Sequence, residues 1–132
     1  MSTRTWAYQR MATDATLVAL VPGGIHQTSA VEHTPVLKPY VIYRQTSDVS
    51  TMRGDGVEQH RTLGYLIFAH DLPGDYLLID SILDRLKSLF MDVVDQANRV
   101  VKSLWIETSD DLRDDDMGTI TKFARIQVTY KV

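Results

Sequence analysis

The residues of this sequence that could do chemistry are its carboxylates, its four histidines and a few serines. The densest carboxylate group is Asp110–Asp116, where five aspartates stand within seven residues. Clustered carboxylates attract hard cations such as calcium. The EF-hand loop needs oxygen ligands at positions one, three and five and a glycine at position six, and aligning Gly118 with that glycine puts Arg113 at position one. That template fails, and a loose cation site at the last three aspartates remains an alternative.

The other candidate groups lack the neighbours that catalysis needs. No histidine pairs with another histidine or a carboxylate at metal-ligand spacing on a predicted helix. Gly54-Asp55-Gly56 lacks the third glycine of a dinucleotide fingerprint, and no serine lies in a nucleophile-elbow motif. The chain has no cysteine, which excludes a thiol nucleophile and a disulfide framework. The sequence therefore predicts no enzyme, no cofactor and no metal site.

Two further interpretations of the acidic segment involve no chemistry. It is either a solvated loop tip that keeps a hairpin off other sheet edges, or a charged contact or lumen surface in an oligomer. Residues 1–70 carry a formal charge of +1 and residues 71–132 a charge of −4, and no basic stripe appears. A direct electrostatic grip on nucleic acid is therefore not expected, whereas an acidic surface could line a conduit through which nucleic acid slides.

The elements that position these residues begin with helices. Trp6 to Ala12 suits a short helix, and Thr13-Asp14 can cap a second turn over Ala15–Val21. Pro22-Gly23-Gly24 ends that turn. The polar segment Ile25–Lys38 is predicted to be an extended linker or peripheral arm.

The middle of the chain predicts two strands and a helix. Tyr40–Gln45 is aromatic and β-branched, and Arg61–Asp71 is apolar on both faces, which is typical of a central strand covered on both sides. The polar segment Thr46–His60 between them is predicted to be a long loop. Apolar residues at three- and four-residue steps predict a helix from about Tyr76 to Val94.

The end of the chain predicts an antiparallel hairpin. Arg99–Thr108 and the alternating segment Thr119–Val132 are its strands, joined by the acidic segment. Trp105 is assigned to the core, with a subunit interface as the alternative. Residues 1–132 then form a single α+β domain: a mainly antiparallel sheet of about four strands, with a central helix and an N-terminal helical segment packed on one face. No segment has the length of a signal core or a membrane span, so a soluble protein made in the cytoplasm is expected.

This order of segments resembles the small tail-completion proteins of long-tailed bacteriophages, the tail terminator or tail-to-head joining family. The resemblance runs over nearly the whole chain and is carried by four features. They are the segment Leu17-Val18-Ala19-Leu20-Val21-Pro22-Gly23-Gly24-Ile25, the strand Pro39-Tyr40-Val41-Ile42-Tyr43-Arg44, the helix with Leu83 and Leu86, and the acidic hairpin ending in Arg125-Ile126-Gln127-Val128-Thr129-Tyr130.

The resemblance implies a structural virion protein without catalytic residues, located at the head-proximal end of the tail. Such proteins assemble as hexameric rings on the last ring of the tail tube, stop its growth, and dock to the head connector. The implied partners are copies of itself, the major tail tube protein and the connector or stopper protein; DNA passes through without specific binding, and no membrane is involved.

Two sets of residues are predicted to make the contacts of such a ring. The first set, facing the lumen or a neighbouring ring, is Asp110, Asp111, Arg113, Asp114, Asp115 and Asp116. The second set, in the polar loop, is Met52, Arg53 and Asp55. Another head–tail connector or head-closure protein, or a small α+β ligand-binding module, remains the alternative.

Overall fold

The computed structural model describes residues 3–27, 37–52 and 54–132, which contain three α-helices. They are α1 (Thr3–Ala12), α2 (Ala15–Leu20) and α3 (Leu77–Phe90). Asp14 caps α2, because its carboxylate accepts a hydrogen bond from the Leu17 backbone N–H at 2.8 Å. α3 ends before the predicted Val94, because Asp92 adopts a left-handed conformation with φ of 53°. None of the helices in these ranges is long and apolar enough to cross a bilayer.

The same residues form one curled sheet of seven strands. The strands are β1 (Ile25–Gln27), β2 (Tyr40–Met52), β3 (Glu58–Asp71), β4 (Val93–Asp95), β5 (Val100–Thr108), β6 (Leu112–Asp114) and β7 (Thr119–Lys131). Their order is β1-β2-β3-β7-β5-β4, and β6 also pairs with β7. β1 runs parallel to β2, and the other pairs are antiparallel.

The α+β class is confirmed, but the predicted mainly antiparallel sheet of about four strands does not match in detail, because the sheet has seven strands and one pair is parallel. The sheet is mixed because β1 adds a parallel strand inside the predicted Ile25–Lys38 arm. The strands β1, β4 and β6 have three residues each, which is too short for alternation to be visible in sequence. Residues 28–36 of the predicted arm lie outside the described residues.

The predicted loop Thr46–His60 is also wrong, because most of it is paired strand. β2 continues to Met52, and β3 already begins at Glu58. Pairs such as Ser50 with Arg61 and Thr51 with His60 extend the ladder. The sequence pattern misses this extension because its β2 side chains are exposed on both faces and so carry no apolar alternation.

All three helices pack on one face of the sheet. Residues of α1 and α2, including Trp6 and Leu17, join the buried stripe of α3 in a single core cluster. Alternate residues of the strands complete it, among them Tyr65 of β3 and Ile126 of β7. Trp6 meets Phe90 of α3 edge to face at 6.0 Å and is buried in this core.

The opposite face has no helix over it among the described residues. β3 is nevertheless buried on this face as well, at Leu66 and His70. On this face, side chains of the neighbouring strands shield β3: Phe68 packs against its cross-strand partner Phe123 at 5.4 Å, and the Arg44 guanidinium lies 5.8 Å from the Phe68 ring. The prediction of a central strand buried on both sides is therefore confirmed, although the cover differs between its two faces.

Candidate interaction surfaces

The acidic segment is a paired hairpin rather than a free loop. β6 continues the line of β5 along β7, and Ser109 joins the two, since its backbone N–H donates to the Phe123 carbonyl at 2.8 Å. Its hydroxyl also accepts from the Phe123 N–H at 2.9 Å. The turn at residues 115–118 closes on Gly118, whose φ of 65° favours glycine. Asp114 therefore lies in a paired strand, Asp110 and Asp111 lie just before it, and Asp115 and Asp116 lie in the turn that follows.

The hairpin carries a surplus of negative charge. Five aspartates stand against one arginine, which gives residues 109–118 a formal charge of −4. Arg113 pairs with Asp115 at 3.1 Å, and Asp111 lies 3.5 Å from Lys122. Asp110 and Asp116 are exposed, and no ion pair within the described ranges involves either. Their contacts remain a prediction.

Asp114 differs from its neighbours because it is half-buried at the base of the turn. Its carboxylate accepts a hydrogen bond from the Met117 N–H at 3.1 Å. The described residues contain no group of three His, Asp or Glu side chains arranged to hold a metal ion. Asp114 thus stabilises the turn in which Asp115 and Asp116 are exposed.

Two side chains fix the hairpin to the helical layer, and the sequence pattern indicated neither. Lys122 of β7 lies 2.9 Å from Asp80 of α3, and this hydrogen bond is the main reason that the pKa of Lys122 is raised. Just before α3, the Tyr76 hydroxyl donates to the Leu112 carbonyl at 2.7 Å. The acidic hairpin, which already pairs along β7, is therefore also tied to α3 and to the residue just before it.

His70 lies beneath the hairpin on the helix-free face and is 3% exposed. Its ring stacks on Tyr40 at 5.0 Å, and Nδ1 lies 2.8 Å from the Thr119 hydroxyl. Burial lowers the pKa of His70, and the Asp114 carboxylate partly opposes this effect. Burial raises the pKa of Tyr40 to about 12, with a smaller contribution from the negative charge of Asp114. No sequence pattern indicates this cluster, because only the strand register brings its members together.

The second predicted set lies at the tip of the β2–β3 hairpin. Met52 is 60% exposed, and the Asp55 carboxylate accepts from the Val57 N–H at 3.1 Å in the turn. Arg53 lies outside the described residues. Along the stem, Arg61 pairs with Asp48 and, at 3.4 Å, with Glu58. The tip is thus an ordered turn on a polar stem, with exposed apolar side chains.

The two predicted sets lie at opposite ends of the sheet. β3 pairs with β7 from His60 opposite Lys131 to Asp71 opposite Ile120. The β2–β3 tip is beside the first pair, and the acidic turn is beside the second. Eleven residues of strand separate the two ends, roughly 36 Å at the usual rise per residue. One copy can therefore meet different partners at its two ends.

A surface cleft of about 570 Å³ lies near the first of these ends, between β4 and the end of β7. Four valines, Gln96 and the cations of Arg99 and Lys131 line it. The lining has no nucleophile and no carboxylate side chain. The cleft offers apolar contact and two positive charges, and no sequence pattern indicates it.

Comparisons with known proteins give structural matches only. No protein-family model matches the chain, and no curated protein sequence does. The fold is similar to a chain in the virion of the native gene transfer agent particle, with a TM-score of 0.73 and 17% identity over 96% of this chain and 92% of that one. It is also similar to the bacteriophage SPP1 gp17 protein, with a TM-score of 0.53 and 12% identity over 98% and 87%. At such identities, these likenesses show a shared fold.

Proposed function

We propose that this protein is a structural component of a phage-type virion and acts as its tail terminator. The observation that carries the proposal is the likeness, over 96% of the chain, to a chain of a virion particle. The likeness to a bacteriophage protein with a similarly complete overlap supports it. In this role the protein caps the tail tube as a ring, stops tube elongation and provides the surface that docks to the head connector.

The separation of the two predicted contact sets supports a role between two partners. A terminator must bind the tube protein on one side and the connector on the other. The acidic hairpin and the β2–β3 tip are fixed at opposite ends of one sheet, held apart by the β3–β7 ladder. A rigid spacer of this kind keeps two docking surfaces at a constant distance.

The charge of the acidic hairpin supports a place beside the DNA path or at an inter-ring contact. Carboxylates repel phosphates, so a lumen lined with them lets DNA pass without binding. The hairpin has surplus carboxylates at Asp110 and Asp116, while Arg113 and Lys122 neutralise Asp115 and Asp111. Like charges on six copies would add around a ring.

The proposal is tested by native mass and by capture on tail tubes. Light scattering over a concentration series should find a species of about 90 kDa, which is six copies of the 15.0 kDa chain, and negative-stain images should show rings. Added to growing tubes, the protein should be found at one end only and should stop their extension. A chain that stays monomeric at every concentration and is not captured by tubes would contradict the proposal.

The alternative of a head–tail connector or closure protein predicts a different partner. It makes the same rings but binds the portal end of a filled head rather than a tube end. Gold-labelled protein mixed with purified heads and with purified tubes distinguishes the two roles. Label on heads alone would replace the terminator by the connector.

A further inference from the structure

Three exposed valines line one cleft at the end of the sheet. Val94 of β4 is 59% exposed, Val101 of β5 is 43% exposed, and Val132 after β7 is 51% exposed. Together with the buried Val100 they line the cleft of about 570 Å³ between β4 and the end of β7, the valine cleft. Its volume lies within the range of about 300–1,000 Å³ that is usual for ligand sites. Apolar side chains gathered in water at one concave place are typical of a binding site.

Two cations complete the lining of the valine cleft. Within the described part of the chain, no ion pair involves the side chain of Arg99 or of Lys131. The carboxylate of Asp95, at the end of β4, is engaged elsewhere, since it accepts from the Trp6 indole N–H at 2.9 Å and from the Asn98 amide at 2.8 Å. The cleft therefore combines apolar walls with positive charge that the described residues leave uncompensated.

Arg99 has a backbone conformation that other residues adopt at lower cost. Its φ of 61° and ψ of 21° lie in the left-handed region, which favours glycine and asparagine. Its backbone N–H donates to the Gln96 carbonyl at 3.1 Å, and its carbonyl accepts from the Lys131 N–H at 2.8 Å. Glycine could make both bonds, so an arginine in this place points to a role for the guanidinium. The second bond also fixes the two cations next to each other.

The valine cleft lies at the same end of the sheet as the β2–β3 tip. The Val132 N–H donates to the Gln59 carbonyl at 3.2 Å, and the neighbouring Glu58 pairs with Met52 at the base of the tip. The acidic hairpin lies at the other end of the β3–β7 ladder, so it cannot reach the cleft of its own copy. A protein that meets the β2–β3 tip, in contrast, also reaches the cleft.

We propose that the valine cleft binds a protein segment in which a carboxylate stands beside an aliphatic side chain, and that this segment belongs to the virion protein that meets the β2–β3 end. This inference rests on the proposed function, because it assigns the site that one of the two partners occupies. The aliphatic side chain packs against the exposed valines, and Arg99 and Lys131 hold the carboxylate. The two cations make the cleft select an anionic segment over a neutral one.

Hexanoate, a carboxylate with an aliphatic chain, tests the cleft without any partner protein. Titrated into the natural full-length chain, it should shift the methyl NMR signals of Val94, Val101 and Val132 with a Kd on the order of 10 mM. Hexanol and hexylammonium share the aliphatic chain but lack the negative charge, and both should bind about tenfold more weakly or less. Equal binding of hexanoate and hexanol would overturn the selection by charge, and unshifted valine signals would overturn the site.

Arg99→Gly separates binding from folding. Glycine adopts a φ of 61° without strain, so the melting temperature should stay the same or rise, whereas the Kd for hexanoate should increase about tenfold. Lys131→Gln should weaken hexanoate binding to a similar extent. Lys87→Gln is the matched control, because it makes the same charge change on the exposed side of α3, outside the cleft. An Arg99→Gly chain that binds hexanoate as tightly as the natural chain would contradict the role of the guanidinium.

The same variants test whether a virion protein occupies the cleft. Arg99→Gly and Lys131→Gln should form normal rings but be captured on purified tubes or heads with about tenfold lower affinity, while Lys87→Gln is captured normally. Normal capture of all three variants would overturn the protein segment as the ligand and leave a small carboxylate in its place. Loss of rings in folded Arg99→Gly would put a second copy in the cleft and overturn the partner named here.

Failure of the proposed function has a different signature. A natural chain that is captured by neither tubes nor heads would overturn the virion role and, with it, the virion protein as the occupant of the cleft. The hexanoate titration would still decide whether the cleft takes an aliphatic carboxylate, because it depends only on the chain itself.

Discussion

Lys122 on β7 and Asp80 on α3 form an ion pair, with 2.9 Å between the ammonium and the carboxylate. The same ammonium lies 3.5 Å from Asp111 in the acidic hairpin. One cation therefore joins the helix, the last strand and the hairpin. The Lys122 side chain is only 17% exposed, so solvent screens this junction less than an ordinary surface pair.

Replacing Lys122 by methionine should loosen the acidic hairpin without unfolding the protein. The variant keeps an apolar stem of similar length but loses both ion pairs. Hydrogen exchange at the Ser109 and Phe123 amides should accelerate several-fold, while the free energy of unfolding should change by about 1 kcal/mol or less. Lys131→Met is the matched control, since it lies on the same strand outside this junction. Unchanged exchange at both amides would show that Lys122 does not anchor the hairpin.

The helix α3 and the strand β7 could be predicted from the sequence because their patterns are strong. The apolar stripe of α3 and the alternation of β7 reflect burial on one face. The short strands could not be predicted, since three residues carry no periodicity. The outer half of β2 has the sequence pattern of a loop, because an exposed hairpin arm has no buried face and so no apolar alternation.

The candidate surfaces were only partly predictable for a related reason. The cluster of aspartates is evident from the sequence, but the residues that hold the acidic hairpin in place are single residues elsewhere in the chain. Tyr76 and Lys122 meet the hairpin only through the packing of α3 on the sheet, and His70 meets Thr119 only through the register of β3 with β7. Neither relationship follows from composition or spacing.

Gly23 should tolerate no side chain. A Cβ at this position would lie 2.1 Å from the Leu37 carbonyl oxygen and 2.9 Å from that of Pro39, and backbone atoms cannot move aside cheaply. Gly23→Ala should destabilise the fold by about 1–3 kcal/mol in urea unfolding. Gly54→Ala is the control, because nothing in the described part of the chain lies within 4 Å of its added Cβ, and its effect should stay within about 0.5 kcal/mol. Equal stability of the two variants would contradict the close approach.

Asp14 should stabilise α2 through two separable interactions. Its carboxylate accepts from the Leu17 N–H at 2.8 Å and from the Arg85 guanidinium at 2.8 and 2.5 Å. Asp14→Ala should cost about 1 kcal/mol in urea unfolding, whereas Asp14→Asn keeps a cap acceptor and should cost less. An Asn variant as unstable as the Ala variant would assign the effect to the charge instead of the cap.

The contacts of Asp14 with Arg85 and Leu17 predict that the stability of the protein depends on pH. The Arg85 hydrogen bond and then the Leu17 N–H hold the pKa of Asp14 below its usual value of 3.8, against the opposing effect of burial. The stability gained from a lowered carboxylate pKa is present above that value and is lost as pH falls through the folded pKa. The stability difference between the natural chain and Asp14→Asn should therefore shrink below about pH 4. A difference that persists at pH 2 would show that charge plays no part.

His70 should make the protein less stable in mild acid. Burial lowers its pKa below the usual 6.5, so the unfolded chain takes up a proton at a higher pH than the folded chain does. The stability that neutral, buried His70 contributes is fully present above about pH 6.5, and it is lost as the pH falls toward the lower pKa of His70 in the folded protein. Melting curves between pH 7.5 and 5 should show this fall, with a smaller fall for His70→Gln. Among the charged groups, the Asp114 carboxylate acts on the His70 ring, and it raises the pKa of His70 against the larger effect of burial. Parallel curves for the two chains would assign the acid effect elsewhere.

The exposed aspartates should matter for assembly and not for folding. Asp110 and Asp116 have no ion pair within the described ranges, so Asp110→Asn/Asp116→Asn should leave the melting temperature nearly unchanged. If these charges meet a neighbouring ring or face the DNA path, infectivity of particles carrying the double variant should fall about tenfold, the scale of a lost contact worth about 1.4 kcal/mol.

The control is Asp84→Asn on the exposed side of α3, where the charge change has no expected contact. The deficit of an electrostatic contact should also vary with ionic strength during assembly, because salt screens exposed charges. Normal assembly and normal infectivity of the double variant would assign the acidic hairpin to solubility alone.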